Sequence, residues 1–541
     1  MILRHLTLGL VILLSGAMVG QVAFSSTLPI IAIHTDGADI PDEPKTTVRM
    51  GVIDNGPGQL NRPTDPFNEY DGYVGIEFRG SSTQSFEKKG YGLETRFEDG
   101  SDRQTTLLGF PREEDWVLRG PFSDKSLIRD ALAYTLAGNI MTYAPRVRLV
   151  ELLINNDYRG VYLFAESIKR DRRRVDIKRM EPEDNSGDEL TGGYILKVDK
   201  FTAEAEGVPS FFPSRYAADN NPDVTPNYLY HYPKPEDITA PQRTYISDWM
   251  GDFEEALASD DFRHPNRGYA PFIDVASFVD FLLINELTRN VDGYRLSTYM
   301  YKKRDSEGGR LHMGPIWDYN LAFGNADYCN GALATGWAFN FNNICPDDGF
   351  QVPFTWKRLM QDENFSSLVR ERWSELRNGS FSDERINATI DSLVAVMDNA
   401  PARNFQRWPI LEQYIWPNAF IGGSYAAETD YLRRWIGERT RWLDGAILTL
   451  SDVTSSANAV TPPLPIYPNP TNGFFAVIND DTGDLADLTV RNQIGQSVFF
   501  TARLGRGDRV DLSAQPAGVY FVQGRRGDGK FVSGKVVLRG R

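Results

Sequence analysis

The chain has 541 residues but only five histidines and two cysteines. Neither a C-x-x-C nor an H-E-x-x-H spacing occurs, which argues against a zinc site. With histidine scarce, acid–base chemistry falls to carboxylates, lysine or tyrosine. Positive charge is also short: 58 Lys and Arg against 73 Asp and Glu leave a formal net charge of −15. An acidic surface repels the phosphate backbone, so nucleic acid is not an expected partner. Long apolar runs are missing except at the start, from Leu6 to Val22, and that run is interrupted by Gly9, Ser15, Gly16 and Gly20. A membrane-spanning helix needs about 20 predominantly apolar residues. The run therefore reads as a secretory signal peptide over residues 1–25, with Ala23-Phe24-Ser25 as a cleavage site. The mature chain is then expected to carry no integral membrane segment. Export makes a Cys329–Cys345 disulfide the expectation, with two free buried thiols as the alternative.

Hydrophobic residues make up 41% of the chain and aromatics 12%, ample for a large buried core. The small, polar, Pro-bearing stretch from Ser451 to Pro465 reads as a linker. Beyond it, over 466–541, short alternating runs punctuated by Gly, Asp and Asn predict a small all-β sandwich, at Phe474–Ile478, Leu488–Arg491, Ser497–Phe500, Gly518–Val522 and Phe531–Leu538. Before the linker, over 26–450, helices and strands mix, so the fold class expected for the whole chain is α+β. Strands near Tyr73–Arg79 and Tyr91–Phe97 flank a polar segment, Gly80-Ser81-Ser82-Thr83-Gln84-Ser85. A helix is expected from Ser126 to Ala137, with Asp124 as N-cap and Gly138 at its end. A hairpin follows, Val147–Ile154 and Gly160–Ala165 around Asn155-Asn156-Asp157. A kinase small lobe has this order of elements, and so do many other folds.

The segment richest in chemistry runs from Asp274 to Asn325. Apolar residues on nearly every face between Val275 and Leu287 predict a central helix capped by Asp274. A loop, Asn290-Val291-Asp292-Gly293, leads to a strand from Ser297 to Lys303, a Gly-rich turn and a return strand from Arg310 to Trp317, with Asp318 just past it. In a hairpin the start of one strand lies beside the end of the other, so Asp292 and Asp318 are expected to converge. Two such acids repel unless a cation relieves them. In a kinase centre one Asp orients the acceptor hydroxyl and the other holds Mg²⁺ on the nucleotide phosphates. The plainer reading, a turn residue and a strand-end cap, stays open beside it.

Several runs, in order, resemble the CotH family of atypical protein kinases. They are Gly75–Ser82 with Lys88-Lys89; Asp115-Trp116-Val117-Leu118 with Ser123–Ser126; Glu151-Leu152 with Gly160-Val161-Tyr162; Gly192–Lys197; Asn285-Glu286-Leu287 with Asn290 and Asp292; and Gly314–Asp318 with Phe323-Gly324. The resemblance covers roughly residues 28–330. It implies an atypical protein-kinase-like two-lobe domain, ATP and Mg²⁺ as cofactors, Asp292 as the catalytic acid and Asp318 as the metal ligand. A conventional kinase has Asn as a second metal ligand five residues after the catalytic Asp. Here that position is Ser297, a weaker ligand. Arg79, Lys88, Lys89, Lys125 and Arg129 are the candidates for phosphate contact, but no Lys–Glu pair can be picked out, and the helix from Ser126 offers no Glu. The basic run Lys169–Arg174 suits ATP phosphates or an acidic protein, or simply a solvated face.

The C-terminal motifs Tyr467-Pro468-Asn469-Pro470-Thr471-Asn472-Gly473 and Pro516-Ala517-Gly518-Val519-Tyr520 resemble the sorting domain of the type IX secretion pathway. That implies the secretion machinery as a partner and a secreted or cell-surface destination. Arg506-Gly507-Asp508 and Arg526-Gly527-Asp528 read as turn chemistry rather than adhesion motifs. Three functions follow as alternatives: a kinase transferring the ATP γ-phosphate to Ser or Thr of an exported protein, a non-catalytic surface binding protein on the same scaffold, and a two-carboxylate glycosidase.

Overall fold

The structure is a computed structural model that describes residues 23–201, 209–450, 464, 466–477, 485–492, 497–505, 508–525 and 531–539. Residues 1–22 of the expected signal segment 1–25, most of the expected linker and the Arg-Gly-Asp tripeptides, apart from Asp508, lie outside the described residues. The chain divides into two compact units, 1–454 and 455–541.

The first unit opens with strands β1 (Ile30–His34), β2 (Thr46–Ile53), β3 (Tyr70–Arg79), β4 (Gly90–Arg96), β5 (Thr105–Leu107), β6 (Phe110–Glu113), β7 (Asp115–Arg119), β8 (Val147–Ile154) and β9 (Asp157–Glu166). Seven of them close a barrel in the order β1-β2-β3-β4-β7-β9-β8, with β1 parallel to β8, while β5 and β6 pair with each other. Closure leaves no bare edge. Alternate side chains, among them Ile31, Ile33, Val74, Ile76, Trp116 and Phe164, fill the interior. The β8–β9 turn is tighter than the sequence suggests. Asp157 already pairs with Ile154, leaving the two-residue turn Asn155-Asn156 with φ of 52° and 62°, the positive-φ pair that a two-residue hairpin favours.

Helix α1 (Arg129–Gly138) crosses between β7 and β8 in the chain. It starts three residues later than its apolar pattern implies because Leu127 is left-handed, with φ of 65°. The N-cap is therefore Ile128, not Asp124, and it makes no side-chain cap; Asp124, four residues earlier, accepts the Arg129 N–H at 2.8 Å. After the short α2 (Gly187–Leu190), strands β10 (Tyr194–Val198), β11 (Phe211–Pro213) and β12 (Asn227–Tyr232), helix α3 (Ala240–Ala258), helix α4 (Val275–Thr288) and strands β13 (Thr298–Lys302) and β14 (Leu311–Met313) follow. The five strands form one sheet, β11-β12-β10-β13-β14. Helices α5 (Phe341–Ile344), α6 (Phe354–Met360), α7 (Glu363–Arg377), α8 (Asp383–Met397), α9 (Ala400–Arg407) and α10 (Tyr425–Ala446) complete the unit.

As its all-round apolar sequence requires, α4 is central, with Phe278, Val279 and every residue from Phe281 to Thr288 buried. Asp274 caps it, accepting the Ser277 N–H at 2.9 Å. At roughly 1.5–3 kcal/mol for each large apolar side chain fully buried, this helix anchors the loop that follows it.

The second unit has strands β15 (Ile466–Tyr467), β16 (Phe474–Val477), β17 (Leu485–Arg491), β18 (Ser497–Leu504), β19 (Arg509–Asp511), β20 (Gly518–Arg525) and β21 (Phe531–Leu538). They form sheets β15-β16-β19 and β18-β17-β20-β21 around an apolar core that includes Phe475, Leu488, Val490, Val510, Tyr520 and Val536. The α+β expectation therefore holds, with an all-β C-terminal region. The two strands missing from the sequence reading, β15 and β19, are two and three residues long, too short for a clear alternation.

Candidate active site

Asp292 and Asp318 sit on segments that three independent anchors hold together. The first is the end of α4. Arg289 takes a left-handed conformation (φ 45°), turning the chain into the loop Asn290–Gly293. There Asn290 accepts the Asp292 N–H at 3.2 Å and donates through Nδ2 to the Asp318 carbonyl at 3.2 Å. Gly293 is required, because a Cβ would lie 2.4 Å from Asn285 Oδ1.

The second anchor is the β13–β14 hairpin, which carries the chain only part of the way. The return strand ends at Met313, not at Trp317. Gly314 makes a last bond to Tyr299 O at 2.9 Å with φ of 108°, and Pro315 has no N–H to continue the ladder. Asp318 is thus reached by an irregular segment and itself has φ of 66°.

The third anchor, helix α1, finishes the placement. Tyr134 Oη accepts the Asp318 N–H at 3.1 Å, and Asp130 Oδ1 accepts the Tyr319 N–H at 2.7 Å. The expected convergence of the two acids is thus the work of α1 and Asn290 as much as of the hairpin.

Around this pair the charges are dense. Arg119, at the end of β7, donates to Asp130 at 2.9 Å and to the Asp318 carboxylate, and its guanidinium lies 5.2 Å from the Trp317 ring centroid. Arg79 lies over the same ring at 5.7 Å. Burial raises the Asp130 carboxyl to about 6, with Arg119 opposing and Asp318 reinforcing the shift. Burial also raises Asp292, opposed by Arg295, which donates to Oδ1 at 3.0 Å, and reinforced by the Asp318 charge. Lys200 acts on Asp292 as well and donates to Ser82 Oγ in the polar loop at 3.3 Å. Beneath these groups Tyr299 is buried among the fields of Asp199, Arg79, Asp318 and Arg119. His231, 5.1 Å from the Tyr299 ring, is pushed down to about 4, chiefly by burial. It is neutral at physiological pH.

The remaining candidates are placed as follows. Ser297, left-handed at φ 47°, is partly exposed just ahead of β13. Lys89 donates to Gln84 O at 2.5 Å, tying down the polar loop. Lys88 is 1% exposed and donates to Val161 O at 2.6 Å and Asn404 Oδ1 at 2.8 Å. Lys125 donates to Gln413 O at 2.6 Å, and Arg129 pairs with Asp124 at 2.6 Å. These last three heads are buried and spent on structure rather than turned to the two aspartates. In the basic run, Lys169 pairs with Glu113, Glu114 and Asp115 at 2.7–2.8 Å, and the fully buried Arg174 pairs with Glu166 at 3.1 Å. These two cations belong to internal networks rather than a solvated face.

Sequence reasoning missed Arg119, Asp130 and Lys200. No Lys–Glu pair stands out in the sequence; the structure pairs a strand cation, Arg119, with an acid in the first turn of a helix, Asp130.

A family model described as CotH kinase protein matches residues 76–443. The match spans more than half of the chain, which therefore belongs to the CotH kinase family. A second model, a secretion system C-terminal sorting domain, matches residues 465–539. The chain is thus a CotH-family protein with a type IX sorting domain, which marks it for secretion to the cell surface. A search of curated proteins found no match. No helix among the described residues is long and apolar enough to cross a membrane.

Proposed function

We propose that this protein is an ATP- and Mg²⁺-dependent protein kinase with a two-lobe kinase-like domain. In this reading it transfers the γ-phosphate to a Ser or Thr hydroxyl of an exported protein. The observation that carries the proposal is the Asp292–Asn290–Asp318 arrangement with the Arg119–Asp130 pair reaching Asp318. A strand cation that bridges a helix acid and a second aspartate matches the parts that position phosphates in kinases. The barrel plays the small lobe, α4 with its packed helices the large one, and the polar loop Gly80–Ser85 covers the phosphates.

The donors available to a metal are all oxygen: the Asp318 carboxylate, with 37% of its side chain exposed, and the Ser297 hydroxyl. That set suits a hard cation such as Mg²⁺, which when bound would neutralise phosphate charge. Asp292 accepts the proton of the acceptor hydroxyl and orients it. Arg119, Arg79 and Lys200 hold the phosphate oxygens by charge-assisted hydrogen bonds.

The Arg119–Asp318 contact favours a second reading. An aspartate already neutralised by Arg has less need of a metal, and Ser297 is a weaker ligand than an amide. A non-catalytic surface binding protein would show this pattern. Thermal unfolding with ATP, with and without Mg²⁺, separates the two. A nucleotide present at about a hundred times its Kd adds roughly 2.7 kcal/mol. A Mg²⁺-dependent rise in Tm supports the kinase; no rise with either supports the binding protein.

A further inference from the structure

The Asp292 carboxylate has two side-chain partners, Arg295 at 3.0 Å and the Tyr328 hydroxyl at 3.4 Å. Both come from, or lean on, the ends of one disulfide-closed loop. Tyr328 is the residue immediately before Cys329, and Cys329 is bonded to Cys345. Tyr328 also stacks on Trp416, with ring centroids 6.0 Å apart and planes 8° apart. Its neighbour Asp327 donates its N–H to Pro417 O at 2.9 Å.

On the other side, the buried Arg295 reaches just past Cys345, donating to Asp348 Oδ1 at 3.1 Å and Phe350 O at 3.2 Å. The Asp348 N–H bonds to Cys345 O at 3.2 Å, so this partner is tied to the second cysteine. The bond therefore fastens together the two arms that hold one carboxylate. Cys329 and Asn330 both have positive φ, 49° and 59°. Non-glycine residues rarely take that conformation without surrounding structure to hold it.

We propose that Tyr328 and Arg295 are positioning residues for Asp292, and that the Cys329–Cys345 bond makes their placement conditional on oxidation. The proposal rests on the reading of Asp292 as the catalytic acid. Disulfides persist in exported proteins and are rare in the reducing cytosol. Before export the two thiols leave the arms unlinked and Asp292 unaligned. In the oxidising compartment the two thiols give up two electrons and two protons to a disulfide-bearing oxidant, which leaves as a dithiol. The S–S bond forms and the site is completed. Phosphotransfer inside the producing cell is thereby prevented.

The mature full-length protein, oxidised or reduced with a phosphine, provides the test. The first readout is amide hydrogen exchange, which needs no activity. On reduction, exchange should quicken at 292–296 and 326–328 while α4 keeps its protection. Equal protection at 292–296 in both forms overturns the proposal. Loss of protection everywhere, α4 included, also overturns it, because the bond would then be a general staple.

The second readout is phosphotransfer to dephosphorylated casein, set against ATP·Mg²⁺ affinity. A misplaced catalytic group can cost about 10²-fold. Reduction should lower transfer by about that much while ATP affinity stays within about twofold. In the oxidised protein Tyr328→Phe should lower transfer with nucleotide affinity unmoved; transfer at the parent rate overturns the positioning role. If the oxidised parent transfers no phosphate at all, the kinase reading fails, and exchange alone decides whether the bond positions Asp292.

Discussion

Asn290 ties Asp292 to Asp318: its Oδ1 accepts the amide of the first at 3.2 Å and its Nδ2 donates to the carbonyl of the second at 3.2 Å. Asn290 is 3% exposed, so neither bond can be replaced cheaply by water. Leaving a buried polar group unsatisfied costs about 1–3 kcal/mol. Asn290→Ala should lower stability by that amount and lower phosphotransfer by more than the stability loss explains. Asn290→Asp should do no better, because a carboxylate cannot donate to the Asp318 carbonyl. Urea unfolding together with transfer kinetics checks both.

Asp292 and Asp318 should fail differently. Asp318→Ala removes an oxygen ligand and should weaken Mg²⁺-dependent nucleotide binding and transfer together. Asp292→Asn keeps the shape but cannot accept a proton, so transfer should fall about 10²–10⁴-fold with ATP affinity nearly unchanged. Titration of ATP against each variant, followed by rate measurement, distinguishes them.

Burial raises the Asp292 carboxyl above its ordinary range. The acid limb of the rate profile should therefore lie above the ordinary aspartate value of about 3.9. A carboxyl with a raised folded-state value contributes stability below the unfolded value, and loses it as pH rises through the folded one. Asp292→Asn should thus be more stable than the parent at neutral pH and show no such gain below about pH 4. Melting curves across that range test the sign.

Arg119 is half-buried and Lys88 fully buried, and the two cations should separate cleanly. Arg119→Met breaks the contacts to Asp130 and Asp318 and should weaken ATP·Mg²⁺ binding. Lys88→Met deprives Val161 O and Asn404 of a donor, and should cost about 1–3 kcal/mol of stability with nucleotide affinity unmoved. Burial lowers the Lys88 ammonium well below its ordinary range, as befits a group walled off from solvent. Loss of ATP binding in Lys88→Met would restore it to the phosphate site.

A chain ending near Ser451 should fold and unfold as the parent's large unit does, since each unit has its own apolar core. In the producing cell, deletion from Tyr467 onward should hold the protein in the periplasm. Delivery of the shortened form to the surface would argue against a sorting role.

The elements were legible where chemistry repeats locally. The all-round apolar helix at 275–288, its Asp274 cap, the 147–165 hairpin and the alternating C-terminal strands all follow from neighbours in sequence. So do the two aspartates as candidates, through ordered motifs that the family match bears out as CotH. What the sequence could not decide was partnership across long separations. Lys88 sits in a promising motif, yet its ammonium is claimed by Asn404, 316 residues away. Arg119 sits in no motif, yet it meets Asp318 across 199 residues. Lys169 and Arg174 look like a solvated basic run until Glu113 and Glu166 fold against them. A cation's role depends on which carboxylate or carbonyl lies within hydrogen-bond reach and how much water remains there. Local pattern sets which residues form helix and strand, but only the packed barrel, α1 and α4 decide which charges are buried together.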